Sequence, residues 1–281
     1  MRRARPGVAD VLTEALPYLR SYVGKPIVVK VSGQVAENES LLADFASDLV
    51  LARQVGVRPV LVHGGAPQIE AQLEREGYES RFRDGLRVTD GEVARVVEMV
   101  LSGQVNKRIV SAIEAAGGRA MGLSGRDGGL ITARRAGGGL GLVGEVVSVQ
   151  IHPILAIEQA GMIPVVAPVG GAGGEVLNIN ADTVAGAVAG ALGAVRLLIA
   201  TDVEGLMDSG GDVVGELSLG AARRLLGARS TGGGMRPKLS ACIAAVEGGV
   251  EAAVMLDGRV PHALLLELFT THGGGTIIRH K

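Results

Sequence analysis

Tryptophan is absent from the 281-residue chain, and phenylalanine and tyrosine occur three times each. Platforms for stacking bases are therefore scarce. Charge of either sign is not in excess: the formal net charge is −1 with acids and bases interspersed. This argues against a nucleic-acid-binding face. A single cysteine, Cys242, excludes an internal disulfide and favours a reducing compartment. Its apolar setting, ACIAAV, reads as a buried, inert thiol. No uncharged helical run reaches the ~20 residues a bilayer crossing needs, the longest lying between Asp182 and Arg196. The basic opening MRRARPG is not followed by an apolar signal core, so the expectation is a soluble, cytoplasmic protein. Two nucleotide motifs fail as well. GxxxxGK[ST] does not occur, and the one GxGxxG, at Gly139, Gly141 and Gly144, runs into EVVSVQ, a strand pattern where the dinucleotide fingerprint requires a helix.

Glycine, by contrast, is abundant at 44 residues, about twice its usual share. With ample Val, Leu and Ile and no collagen period, it signals tight turns and close backbone approaches. Short β-branched runs at 26–31, 59–63, 163–168, 196–201 and 252–257 alternate with helical patterns near 39–56, 66–77, 90–116, 151–161, 181–193 and 231–248. Near-continuous apolar strands separated by helices predict a mainly parallel open sheet in an α/β three-layer αβα sandwich. Residues 119–150 break the rhythm, and their strand-like pieces joined by glycines predict hairpins at one edge of that sheet. A fresh set of strand-helix units after 174/175 suggests two lobes, 25–174 and 175–281, behind an N-terminal segment 1–24. Within that segment, apolar residues at 8, 12, 15, 16, 19 and 23 line one face of a helix that Pro17 should kink. Such a helix either folds back on its own domain or reaches a neighbouring subunit.

Several polar clusters sit at strand ends. EVLNINADT (175–183) crowds Asn178, Asn180 and Asp182 ahead of a small-residue helix. One of them suffices as a cap, leaving the others for another task. VVKVSGQ (28–34) places Lys30 beside a Ser-Gly turn, where Ser32 and Gly33 amides could meet phosphate oxygens, or where the lysine could simply snorkel to water. PVLVHGGAPQI (59–69) repeats the strand–glycine–helix pattern at Gly64 and Gly65, and two such junctions on one sheet edge would make paired anion cradles. GLRVTD (85–90) sets Arg87 before a capped helix, either solvent-facing or placed to clamp a carboxylate through two N–H bonds. TGGGMRPKL (231–239) brings Lys238 after three glycines at a helix opening, and TDVEG (201–205) adds a polar loop after a strand.

With EALPYLR, LVHGG, GLRVTD, GQVNKRIV, GLSGRDG, LNINADT, TDVEGL, GGMRPKL and LDGRVPHALLLELFT in order from about residue 12 to 278, the chain resembles the acetylglutamate kinases of the amino-acid kinase superfamily. The resemblance implies the amino-acid kinase fold and transfer of the ATP γ-phosphoryl group, with Mg²⁺ carried by the nucleotide and no protein-held metal, to the side-chain carboxylate of N-acetyl-L-glutamate in arginine biosynthesis. It further implies that Lys30 and Lys238 are catalytic and held by Asp182. Gly65, Ala66 and Arg87, in the amino-acid lobe 25–174, would bind the substrate, with Asn178 contacting it from the other side. Thr201, Asp202, Gly234 and Met235, in the ATP lobe 175–281, would border the nucleotide, with Gly33 of the other lobe beside it.

Two positions depart from the family pattern: Ser32 and Ala66 stand where glycine is usual. If either needed a positive φ, strain of roughly 1–2 kcal/mol would follow; at negative φ the cost vanishes. The N-terminal helix resembles the extension of arginine-inhibited, hexameric members. In the terminal block, Glu267, Gly273 and Gly275 resemble the part that receives L-arginine. A homo-oligomer, dimer or hexamer, is expected, with neither nucleic acid nor membrane as partner. Phosphorylation of a related aminoadipate derivative, and a catalytically weak arginine sensor, are the competing readings.

Overall fold

The computed structural model describes residues 8–83, 85–208, 210–227, 234–270 and 273–280. The opening MRRARPG and the first three residues of TGGGMRPKL, 231–233, lie outside them. Helix α1 (Val8–Tyr22) runs through Pro17 and leads to β1 (Pro26–Val31), the short α2 (Gly33–Glu37) and α3 (Glu39–Gln54). Next come β2 (Arg58–His63), α4 (Ala66–Arg75) and a small ribbon of β3 (Phe82–Arg83) and β4 (Leu86–Arg87). α5 (Gly91–Glu98) passes through a π-helical stretch, Met99–Val105, into α6 (Asn106–Ala115). β5 (Ala120–Ser124), β6 (Ile131–Arg135), β7 (Gly144–Val149), α7 (His152–Gln159) and β8 (Ile163–Ala167) follow. The hairpin β9 (Val169–Ala172) and β10 (Glu175–Asn178) precedes α8 (Ala181–Leu192) and β11 (Arg196–Thr201), and position 174/175 falls in its turn. β12 (Glu216–Ser218), α9 (Leu219–Gly227), α10 (Met235–Glu247), β13 (Ala252–Asp257), α11 (Ala263–Phe269) and β14 (Thr276–Arg279) complete the order.

An eight-stranded sheet in the order β12-β14-β13-β11-β1-β2-β8-β5 forms the middle layer. Its pairings are parallel except for β13 with β14. All five strands expected from the apolar runs lie in it, and helices cover both faces over two separate apolar clusters. The side-chain period of two divides β1 between them: Ile27, Val29 and Val31 pack into one cluster and Val28 into the other. Strand β1 has β2 on one side and β11 on the other, so the chain reverses its direction of travel across the sheet at β1. The crevice at the carboxyl ends of such strands is where open α/β sheets bind ligands.

Two expectations need correction. Of the strand-like pieces in 119–150, only β5 joins the main sheet, as its edge strand. β6 and β7 pair antiparallel in a separate four-stranded sheet, β10-β9-β6-β7. Ile131 and Ala133 are buried while Thr132 and Arg134 are exposed, the alternation of a sheet with one wet face and not of a doubly covered one. The helix expected over 90–116 is also not uniform: Asn106 N–H donates to the Leu101 carbonyl, a step of five residues. The π stretch inserts one residue into the helix and turns Asn106 inward, where it is fully buried.

Candidate active site

Lys30 shares a face of β1 with Val28, which packs in the cluster containing Val184, Ala185 and Val188 of α8. The period of the strand therefore aims Lys30 at the first turn of α8, where Asp182 stands. Its Nζ lies 2.8 Å from Asp182 Oδ1, a close but oblique contact that is an ion pair more than a directed hydrogen bond. Lys238, in the first turn of α10, reaches Asp182 Oδ2 at 3.7 Å and donates to the Gly234 carbonyl at 3.3 Å. The two helices pack closely side by side because their contact face is small. A Cβ on Gly186 would stand 2.9 Å from the Ala241 carbonyl, and one on Gly190 3.9 Å from Gly248 Cα. Close packing thus brings both helix N-termini, which favour negative charge, to one place.

The three crowded polar residues before α8 divide the work. Asn180 is the cap: its Oδ1 accepts from Asp182 N–H at 2.9 Å and Thr183 N–H at 3.1 Å. Asn178 Nδ2 donates to Thr89 Oγ1 at 3.1 Å, and Asp182 serves the lysines.

The two glycine loops pack on each other. Gly64 N–H donates to the Val31 carbonyl at 2.8 Å, and Gln68 Nε2 donates to the Gly33 carbonyl at 2.8 Å. A Cβ on Gly33 would come within 2.8 Å of Gly65 Cα, and one on Gly65 within 2.6 Å of Leu101 Cδ2. Glycine is required here by approach, not by dihedral angle. Ser32 has φ −75° and caps α2, its Oγ accepting from Val35 N–H at 3.3 Å. Ala66 opens α4, and His262 is the non-glycine residue with positive φ among those described. Neither departure from the family pattern is strained.

Arg87 is buried. Its guanidinium donates to Glu70 at 2.6 Å and to Ser80, and stands 4.7 Å over the Phe82 ring. Arg87 and Ser80 hold the Glu70 carboxyl below the usual carboxylate range.

These parts line one cavity of about 390 Å³ at the carboxyl ends of β1, β2 and β11. Lys30, Gly33, Gly65, Ala66, Arg87, Asn178, Thr201, Asp202, Gly234, Asp182 and Lys238 all border it. Met235 does not; it packs half-buried on the apolar cluster behind. Glu267, Gly273 and Gly275 are elsewhere, in a cavity of about 470 Å³ beside α1 and α11 that Tyr18, Tyr22 and Arg196 also line. Burial pushes the Glu267 carboxyl above its ordinary range, against the pull of Arg196. Cys242 is fully buried and its thiol pushed up, as expected of an inert side chain. Sequence reasoning missed the apolar wall of Leu101, Val143 and Ile179, the loop brace Gln68, and the buried pair His63 and Asn106. For His63 a signal existed: an imidazole one residue before a Gly-Gly turn.

A family model described as the amino acid kinase family matches residues 25–257. This chain belongs to the amino acid kinase family. Within it, the chain is 51% identical to acetylglutamate kinase of Novosphingobium aromaticivorans, over 96% of each sequence. Among solved structures it is similar to N-acetylglutamate synthase from Neisseria gonorrhoeae complexed with coenzyme A and N-acetyl-glutamate, at TM-score 0.87 and 28% identity. That match covers 98% of this chain and 64% of the synthase chain. Carbamate kinase from Giardia lamblia bound to AMP-PNP shares the fold at TM-score 0.66 and 14% identity, over 91% of this chain and 98% of the other. The amino-acid kinase fold inferred from sequence is the fold observed.

Proposed function

We propose that the chain is an acetylglutamate kinase, transferring the ATP γ-phosphoryl group to the side-chain carboxylate of N-acetyl-L-glutamate. The observation that carries this reading is the pair Lys30 and Lys238 on the two oxygens of Asp182, in a cavity that Arg87 also lines. The nucleophile is a carboxylate, ionised at neutral pH, so no base is needed. What remains is alignment and neutralisation of charge on the transferring group. Lys30 and Lys238 supply that from two sides, and Asp182 orients them. Gly65 and Ala66 cradle the acceptor, Arg87 grips its α-carboxylate and Asn178 meets it from across the cleft. Gly33, Thr201, Asp202 and Gly234 belong to the ATP side. The lobe 25–174 then holds the amino acid and 175–281 the nucleotide. Mg²⁺ would arrive with the nucleotide and supply further positive charge; Lys30, Lys238 and the glycine amides would hold the phosphates that carry it, with Asp182 already paired to the lysines.

ADP release measured with N-acetyl-L-glutamate and with an aminoadipate derivative tests the substrate. Equal or greater turnover of the aminoadipate compound would displace the proposal.

A regulatory reading is favoured by the second cavity, whose lining Glu267 and Gly273 share with Tyr22 of α1. L-arginine fits there as an inhibitor, its guanidinium on Glu267, with α1 and the segment 1–24 joining subunits into a hexamer in the cytoplasm. Removal of residues 1–22 is expected to shrink the oligomer and abolish inhibition. An unchanged size and unchanged inhibition would end that reading.

A further inference from the structure

Behind the Gly64–Gly65 turn, on the side away from the cavity, lies a chain of buried polar groups that the proposed chemistry does not use. His63 ends β2 and is fully buried. Its Nδ1 is 3.1 Å from the Gly64 carbonyl, and its Nε2 is 3.2 Å from Asn106 Nδ2. Asn106 Nδ2 also donates to the Val165 carbonyl of β8 at 2.9 Å. Asn106 Oδ1 accepts from Lys107 Nζ at 3.0 Å, and the same ammonium donates to the Gly122 carbonyl at 3.2 Å.

The direction of every bond in this chain is determined. An ammonium only donates, so Asn106 presents its oxygen to Lys107 and its amide nitrogen to Val165 and His63. His63 Nε2 is then the acceptor, Nδ1 carries the hydrogen, and that hydrogen is donated to the Gly64 carbonyl. Burial lowers the His63 pKa to about 4, so the neutral ring this arrangement needs prevails at neutral pH.

We propose that His63 is a positioning residue: by holding the Gly64 carbonyl from behind, it fixes the Gly64–Gly65 peptide so that the Gly65 N–H faces the reacting oxygens. The described residues contain no cis peptide bond. In a trans peptide the N–H of one residue points opposite to the carbonyl before it. With the Gly64 oxygen drawn toward the core, the Gly65 N–H turns outward, to the side where Gly65 and Lys30 border the cavity. Leu101, carried by the π stretch, closes on Gly65 and blocks sideways relaxation of the loop. The π stretch therefore has two products, the inward Asn106 and the overlying Leu101, and both act on one peptide. The inference rests on the proposed phosphoryl transfer and adds to it the residue that aims one of its donors.

Three variants test it. An asparagine places its amide N–H close to where imidazole Nδ1 stands; a glutamine reaches toward the Nε2 position instead, and leucine offers no donor. His63→Leu and His63→Gln are expected to lower kcat for ADP release about 10- to 100-fold, with KM for N-acetyl-L-glutamate within about threefold of the parent. His63→Asn is expected to recover most of that kcat. A second measurement follows the Gly65 amide resonance on adding AMP-PNP, expected to shift in the parent and His63→Asn but not in His63→Leu. The proposal is overturned if His63→Leu keeps the parental kcat, if His63→Asn recovers nothing, or if the Gly65 resonance responds alike in all variants. A parent that releases no ADP with N-acetyl-L-glutamate refutes the assigned substrate, and the amide resonance then decides the positioning role by itself.

Discussion

At the scale of single residues, Asp182 shows what a crowded polar segment hides. Spacing alone places Asn178, Asn180 and Asp182 before a helix; which one caps it depends on where neighbouring strands end. In the folded chain Lys30 is 5% and Asp182 4% exposed, so each is an interior charge that depends on the other. Asp182→Ala strands the Lys30 ammonium and is expected to cost roughly 3–5 kcal/mol of stability in urea unfolding. Adding Lys30→Met to that variant is expected to restore much of the stability and none of the ADP release. Recovery of turnover in the double variant would show that the lysine does not act on the phosphoryl group. The unusual residues Ser32 and Ala66 are a milder matter. Both have ordinary backbone angles, so Ala66→Gly is expected to leave kcat within about threefold of the parent. A large gain would mean that the natural cleft is obstructed.

At the scale of elements, the glycine-rich helix α8 was legible as a helix, and its function was not. Its small residues let α10 approach until backbone meets backbone at Gly186, and that approach sets the reach of Lys238 to Asp182. Gly186→Ala puts a methyl group 2.9 Å from the Ala241 carbonyl. Loss of about 1–3 kcal/mol is expected, with a fall in kcat as Lys238 is carried away from Asp182. Unchanged kcat alongside lowered stability would separate the packing from the chemistry. The π stretch at Met99–Val105 could not have been found by periodicity. One inserted residue shifts which side chains face inward but changes no residue type, so the helical pattern before and after it stays intact.

For the whole molecule, two histidines give opposite dependences on pH. His63 is lowered from 6.5 to about 4 by burial. Between those values the unfolded chain binds the extra proton, so stability rises with pH at roughly 1.4 kcal/mol per unit and is lost on acidification. His262 is raised by its hydrogen bond to Asp48, at 2.7 Å, which ties α11 to α3. Its contribution is complete below 6.5 and is lost as pH rises through the elevated value. Urea midpoints between pH 4 and 8 are expected to lose their acid-side slope in His63→Asn and their neutral-side decline in His262→Gln. Parallel curves for parent and His63→Asn would show that the imidazole is not held neutral by burial.

The order of apolar strands and helices determined the layered α/β architecture by itself, because a strand covered on both faces has no polar alternation and such runs close only into a parallel sheet. Local chemistry likewise marked the glycine junctions after Lys30 and His63 and the lysine opening α10. Their meeting was decided by tertiary structure. Lys30 and Lys238 are far apart in sequence, and only the chain reversal at β1, the side-chain period of that strand and the close contact of α8 with α10 bring them to one carboxylate. The same holds for the edge hairpins, whose alternating burial placed them in a second sheet, and for the Lys107–Asn106–His63 relay. Hydrogen-bond direction there is set by donors from different elements, and no local pattern of residues carries that information.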